Sequence, residues 1–148
     1  MMDELLYDFY DWLPSYGESS VVLYELKDSM SVVIEVSYEK EILNNQFVLY
    51  RRELLFSGVK YFIKSPLPGW DIVLETFGHK VYSSGCLTTV RNSVYLNNCK
   101  KFYASRFGIE LNTLKHFYVQ FLSENCSFHV LAKSVELSPE KIIQSLYE

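Results

Sequence analysis

A chain of 148 residues is long enough to bury roughly 70% of the surface its unfolded form exposes, so it needs neither a disulfide nor a metal to fold as one domain over 1–148. Its surplus of hydrophobic residues is aromatic, with twelve Tyr, ten Phe and two Trp; at an ordinary charged fraction this excludes disorder and favours strands over helices. The formal charge is −4, yet residues 1–41 carry ten acids against Lys27 and Lys40, an asymmetry that bears on an electrostatic partner and not on the fold.

The chain opens with DELLYDFYDWLP. Leu5, Leu6, Phe9, Trp12 and Leu13 recur on one face of a helix, with Glu4, Asp8 and Asp11 on another. Asp3 and Glu4 suit its N-terminal end, and Pro14 stops it. From Val21 the period becomes two. VVLYEL predicts a short strand, and MSVVIEVSY a clean amphipathic one with Met30, Val32, Ile34, Val36 and Tyr38 inward. ILNNQ predicts a turn and QFVLYRRELLF the returning strand, with Val48, Tyr50, Leu54 and Phe56 inward. Arg52 breaks that pattern, as at an edge or bulge.

After SG, VKYFI predicts another strand, and SPLPGW a firm loop ending in Trp70. DIVLETF and KVYSSG suggest two more strands joined at GH, and CLTTV and SVYL two short ones. LKHFYVQFL fits helix and strand alike. Its β-branched and aromatic content, and the natural hairpin partner in CSFHVLAKSVEL, decide for a strand. SPEKIIQSLYE predicts a closing helix with Ser138 as N-cap and Pro139 at its first position. The fold class expected is α+β: a mostly antiparallel sheet with an N-terminal helix and a short C-terminal helix packed on it.

Little in the chain suggests reaction chemistry. Cys86, Cys99 and Cys126 are odd in number and widely spaced, which reads as free buried thiols. Cys126 and His129 stand three apart on a strand and so point to opposite faces. His79 and His116 have no zinc-type pairing, and surface positions are expected for the histidines. No nucleophile elbow or phosphate loop is present, so neither an enzyme, a cofactor nor a metal is expected. The first residues lack a basic-then-apolar leader, and no apolar run approaches the ~20 residues that span a bilayer, so a cytoplasmic protein without a membrane partner is expected.

Two segments suggest contact surfaces. In NNCKKFYASRF, Lys100, Lys101 and Arg106 interleave with Phe102, Tyr103 and Phe107, a small candidate for single-stranded nucleic acid on a chain that is acidic overall. The N-terminal segment holds more aromatic surface than one buried stripe requires. Asp8, Asp11, Trp12, Tyr16 and Glu18, with Trp70 as a further anchor, form the expected partner-binding set for a basic protein. ELKDSMSVVIEVSYEK, LLFSGVKYFI and FYVQFLSENCSFHVLAKSVEL together resemble small bacterial immunity proteins of polymorphic toxin systems in strand rhythm, with Lys27 where a histidine often precedes Asp28. The resemblance implies a non-enzymatic protein that neutralises a cognate toxin by binding it. The alternative is a structural or assembly module that self-associates through the same aromatic surface.

Overall fold

The computed structural model describes residues 4–13, 21–26, 28, 30–66, 86–91, 93–121 and 126–145. Two antiparallel sheets face each other across a shared core. The first has the strand order β1 (Glu4–Asp8), β6 (Cys86–Val90), β7 (Lys115–Phe121), β8 (Cys126–Ala132), β5 (Tyr61–Pro66). The second runs β10 (Lys141–Ser145), β4 (Gln46–Ser57), β3 (Ser31–Leu43), β2 (Val21–Leu26), with β9 (Ser134–Leu137) also paired to β4. One α-helix, α1 (Val94–Phe107), joins β6 to β7.

Alternation explains the core. Val32, Ile34, Val36 and Tyr38 of β3 and Leu54 and Phe56 of β4 meet Phe117, Val119, Phe121, Phe128 and Val130 of the first sheet, all buried. Met30, expected inward, is exposed at the strand's start. The hairpin of β7 and β8 forms as expected, in register from Lys115 opposite Ala132 to Phe121 opposite Cys126. The ILNNQ turn places Asn45 at φ 63°, left-handed geometry that Asn tolerates better than most residues.

The two sheets are stitched at one corner. β4 runs on into β5, and β8 into β9, so both chains leave one sheet for the other side by side. There Lys133 N–H donates to Ser57 O (2.9 Å) and Lys60 N–H to Leu131 O (2.8 Å). Gly58 turns this corner at φ 65°, where an added Cβ would lie 2.7 Å from Lys133 Cγ.

Both expected terminal helices are absent, which corrects the α+β expectation to a two-sheet β architecture with a single α-helix among the described residues. At the N-terminus, Glu4–Asp8 pairs with β6, with a register irregularity between Leu5 and Tyr7, and Phe9–Asp11 makes one 3₁₀ turn. A helix of about eleven residues is marginal on its own, whereas the β6 edge offers backbone partners to alternate residues of the strand. Phe9 and Leu13 are buried in either conformation, so the apolar spacing reported burial correctly and shape wrongly.

The C-terminus repeats the lesson. Ser138 caps no helix: its N–H donates to Glu53 O (2.8 Å), and its hydroxyl accepts from Glu53 N–H (2.8 Å). It thereby fills the gap where the partner of β4 changes from β9 to β10. Arg52, the residue that breaks the inward pattern of β4, stands at this gap, with Nε donating to Ser138 O (2.9 Å). SVYL, expected as a strand, instead begins α1. Ser93 Oγ accepts from Leu96 N–H (3.1 Å), and Gly108 closes the helix in left-handed geometry. DIVLETF and KVYSSG lie outside the described residues, as does SPLPGW beyond Ser65 and Pro66, which end β5 where a loop was expected.

Candidate functional site

Of the expected partner residues, Asp8, Asp11 and Trp12 lie together at the end of β1 and the turn that follows it. Asp8 is half-buried at the end of β1, and Asp11 is exposed in the turn. Trp12 is turned inward, its ring 5.2 Å from Phe9 and 5.1 Å from Tyr38, with the Arg52 guanidinium 5.0 Å from its centroid. Trp12 is thus partly buried against the core. Tyr16, Glu18 and Trp70 lie outside the described residues.

The acidity of the first part of the chain reappears elsewhere, on the outer face of the second sheet. Glu25, Glu35, Glu39 and Glu41 alternate outward along β2 and β3; β4 adds Glu53 opposite Glu35, and β9 adds Glu136 opposite Leu55. Like charges opposite each other repel. Arg51 stands between them, 3.9 Å from Glu35 and 3.8 Å from Glu53, worth a fraction of a kcal/mol at such exposure. Leu23, 56% exposed, faces outward across from Glu35, and exposed Phe47 sits across from Glu41. The face therefore carries six glutamates against Arg51 and Lys141, with Val33 and Leu55 between Glu25 and Glu136 and exposed apolar side chains at its margins.

The outer face of the first sheet is of a different kind. His116, Tyr118 and Gln120 of β7 alternate away from the core, beside Ser127 and His129 of β8, Thr88 of β6 and Ser65 of β5, and all are buried. Ser93 Oγ lies 2.5 Å from His116 Nδ1, and His116 Nε2 lies 2.9 Å from His129 Nδ1. Tyr95 lays its ring edge-on to His116 and tilted over His129, centroids 6.0 and 6.4 Å away. Burial lowers His129 to about 4 and pushes the Tyr95 phenol up to about 12, with Tyr61 adding to the latter. At neutral pH the His129 ring is neutral.

Past Tyr95 the helix stands off the sheet. A cavity of about 420 Å³ opens there, lined by Lys60, Tyr61, Tyr95, Cys99, Phe102, Tyr103 and the floor residue Leu131, with Asn98 at its rim. Burial raises the Cys99 thiol, against a smaller lowering by the Lys60 charge. The cations of the expected nucleic-acid segment share this helix, with the Arg106 guanidinium 5.4 Å from the centre of the Phe102 ring.

No family model, curated protein or solved structure matches the chain. No group of three or more metal-ligating side chains occurs among the described residues, and no helix among them is long and apolar enough to cross a membrane.

Sequence reasoning placed the histidines at the surface. His116 and His129 are instead 0% and 1% exposed. The alternation of His116, Tyr118 and Gln120 with Phe117, Val119 and Phe121 was visible, but a polar alternating set ordinarily faces water. Cys126 does point away from His129, into the core.

Proposed function

We propose that this chain is a non-enzymatic binding domain of the immunity type, which occludes a basic protein partner in the cytoplasm. The observation that carries the reading is the segregation of Glu25, Glu35, Glu39, Glu41, Glu53 and Glu136 onto one sheet face with Leu23 and Phe47 exposed at its margins. Acidic groups gathered on one side steer a cationic protein to its site, and apolar side chains beside them hold it once it arrives.

The test is affinity purification of the tagged protein from its own cells at low salt, followed by association kinetics with whatever basic protein is recovered. A stoichiometric basic partner whose on-rate falls with salt, and falls again in Glu25→Lys/Glu39→Lys, supports the reading. Kinetics unchanged by the double reversal remove this face from consideration. One observation favours self-association instead: among the described residues β2 is an edge strand of its sheet with Leu23, Tyr24 and Leu26 all exposed, a surface suited to pairing with a second copy. Sedimentation that is independent of concentration excludes that alternative.

A further inference from the structure

Tyr95, Cys99, Phe102 and Tyr103 recur at helical spacing on one side of α1, the arrangement that in a globular protein packs a helix onto its sheet. Here the packing stops after one turn. Ser93 and Tyr95 hold the N-terminal end against the histidine pair, but no residue of α1 is buried, and Phe102 is 49% exposed. The space left between the helix and the Tyr61–Leu131 pair of β5 and β8 is the 420 Å³ cavity, within the range of small-molecule sites.

Its chemistry is specific. Four aromatic rings, from Tyr61, Tyr95, Phe102 and Tyr103, supply flat stacking surfaces, with Tyr61 and Tyr95 centroids 5.9 Å apart. One cation lines the cavity, Lys60, whose Nζ lies 5.5 Å from the centre of Tyr103; Arg106 lies over Phe102 without lining the cavity. Among the described residues no carboxylate lines the cavity or pairs with Lys60. An aromatic cage already holding an ammonium repels a second cation and attracts an anion. Asn98 adds an amide at the rim.

We propose that this cleft binds a small planar aromatic molecule carrying one negative charge, stacked among Tyr61, Tyr95, Phe102 and Tyr103 with its anionic group on Lys60. The site lies on the first sheet, away from the acidic face of the second, and goes beyond the binding role proposed above.

The probe is 8-anilinonaphthalene-1-sulfonate, compared with the uncharged N-phenyl-1-naphthylamine and with decanoate as a non-planar anionic competitor. The full chain should bind the sulfonate dye at one equivalent. Saturating dye should slow maleimide alkylation of Cys99, followed by peptide mass spectrometry at pH 8, by about tenfold, as expected when a ligand covers a partly open thiol. Lys60→Met should weaken the sulfonate dye about tenfold, the scale of one charge-assisted contact, and leave the uncharged dye within about twofold. Lys60→Arg should retain the sulfonate affinity, which separates a lost charge from a damaged fold. Glu25→Lys/Glu39→Lys should leave dye binding unchanged, so this test and that of the acidic face fail independently.

Dye binding that leaves Cys99 alkylation unaltered would place the ligand elsewhere and overturn the proposal. Equal losses for both dyes in Lys60→Met would overturn the anion preference. Displacement by decanoate at concentrations equal to the dye's own would overturn the requirement for a planar ring.

Discussion

His116 Nε2 and His129 Nδ1 face each other at 2.9 Å across the β7–β8 ladder, and both rings are shut away from water. Only one of the two facing nitrogens carries the shared hydrogen, so one ring donates and the other accepts. Ser93 extends the line to the start of α1. A buried polar layer of this kind is stabilising only while every member stays neutral and bonded.

Acid should therefore loosen the protein through His129. Its folded pKa, about 4, lies below the ordinary 6.5, so between these values the unfolded chain binds a proton that the folded one refuses. Stability contributed by the neutral ring is full above pH 6.5 and is lost as pH falls toward 4. The total is on the order of 3 kcal/mol, since a tenfold difference in proton affinity corresponds to about 1.4 kcal/mol. Urea unfolding of the wild type and of His129→Gln across pH 7 to 4 measures it. The variant should show a shallower fall, and identical slopes would exclude His129 as the source.

Ser93→Ala removes two bonds at once: the N-cap to Leu96 N–H and the contact with His116. A lost cap costs about 1 kcal/mol and a buried hydrogen bond broken on one side about 1–3 kcal/mol, so about 2–4 kcal/mol is expected. Because α1 buries no residue of its own, its amides should exchange faster by a larger factor than those of β7 and β8. Hydrogen exchange reads this directly, and uniform acceleration across all elements would refute the anchoring role.

Tyr38, fully buried, donates its hydroxyl to Glu140, which also pairs with Lys40 at 3.0 Å. Burial, the bond to Glu140 and its charge all hold the Tyr38 phenol above its ordinary range. For Glu140 burial works upward, but the bonds from Tyr38 and Lys40 and the charges of Lys40 and Arg52 outweigh it and keep the carboxyl below 4.5. Tyr38→Phe should cost about 1.5–3 kcal/mol at pH 7, the range for a hydrogen bond to a charged group. A depressed carboxyl stabilises above its ordinary pKa and loses that contribution as pH falls through the lower folded value. The gap between wild type and Tyr38→Phe should thus narrow below pH 4.5. A gap constant with pH would mean that the bond is not to the carboxylate.

Gly58 and Gly108 have nearly the same φ, 65° and 63°, but different surroundings. Alanine at Gly108 meets open space, so Gly108→Ala should cost only the left-handed backbone, about 1 kcal/mol. At Gly58 the new Cβ would also press on Lys133 Cγ, raising the cost of Gly58→Ala to about 2–4 kcal/mol. Lys133→Ala should recover part of that extra cost. Equal melting shifts for the two glycine variants would show that the corner yields freely.

Where the period of two ran long, as in β3, β4 and the β7–β8 hairpin, sequence and structure agree, because a strand with one apolar face has a single register that buries it. The helix α1 was missed, since Ser93–Leu96 reads as a strand; its apolar stripe carries Lys100 and Lys101 alongside and buries no residue, so helical periodicity was faint. The acidic surface was legible as a charge asymmetry, and its location was not. Alternation placed the glutamates outward, but which strands lie side by side is decided by pairing between residues far apart in the chain.

By itself the sequence determined the strand-rich core, the turns and the sign of the charge, since these depend on residue type and local spacing. Only the tertiary structure decided that Glu4–Asp8 and Lys141–Ser145 are strands. Each is too short to hold a helix unaided, and each meets an open sheet edge whose backbone groups need partners. The burial of His116 and His129 was decided there too: two polar alternating faces read alike in sequence until the fold sets one against a neighbour and the other against water.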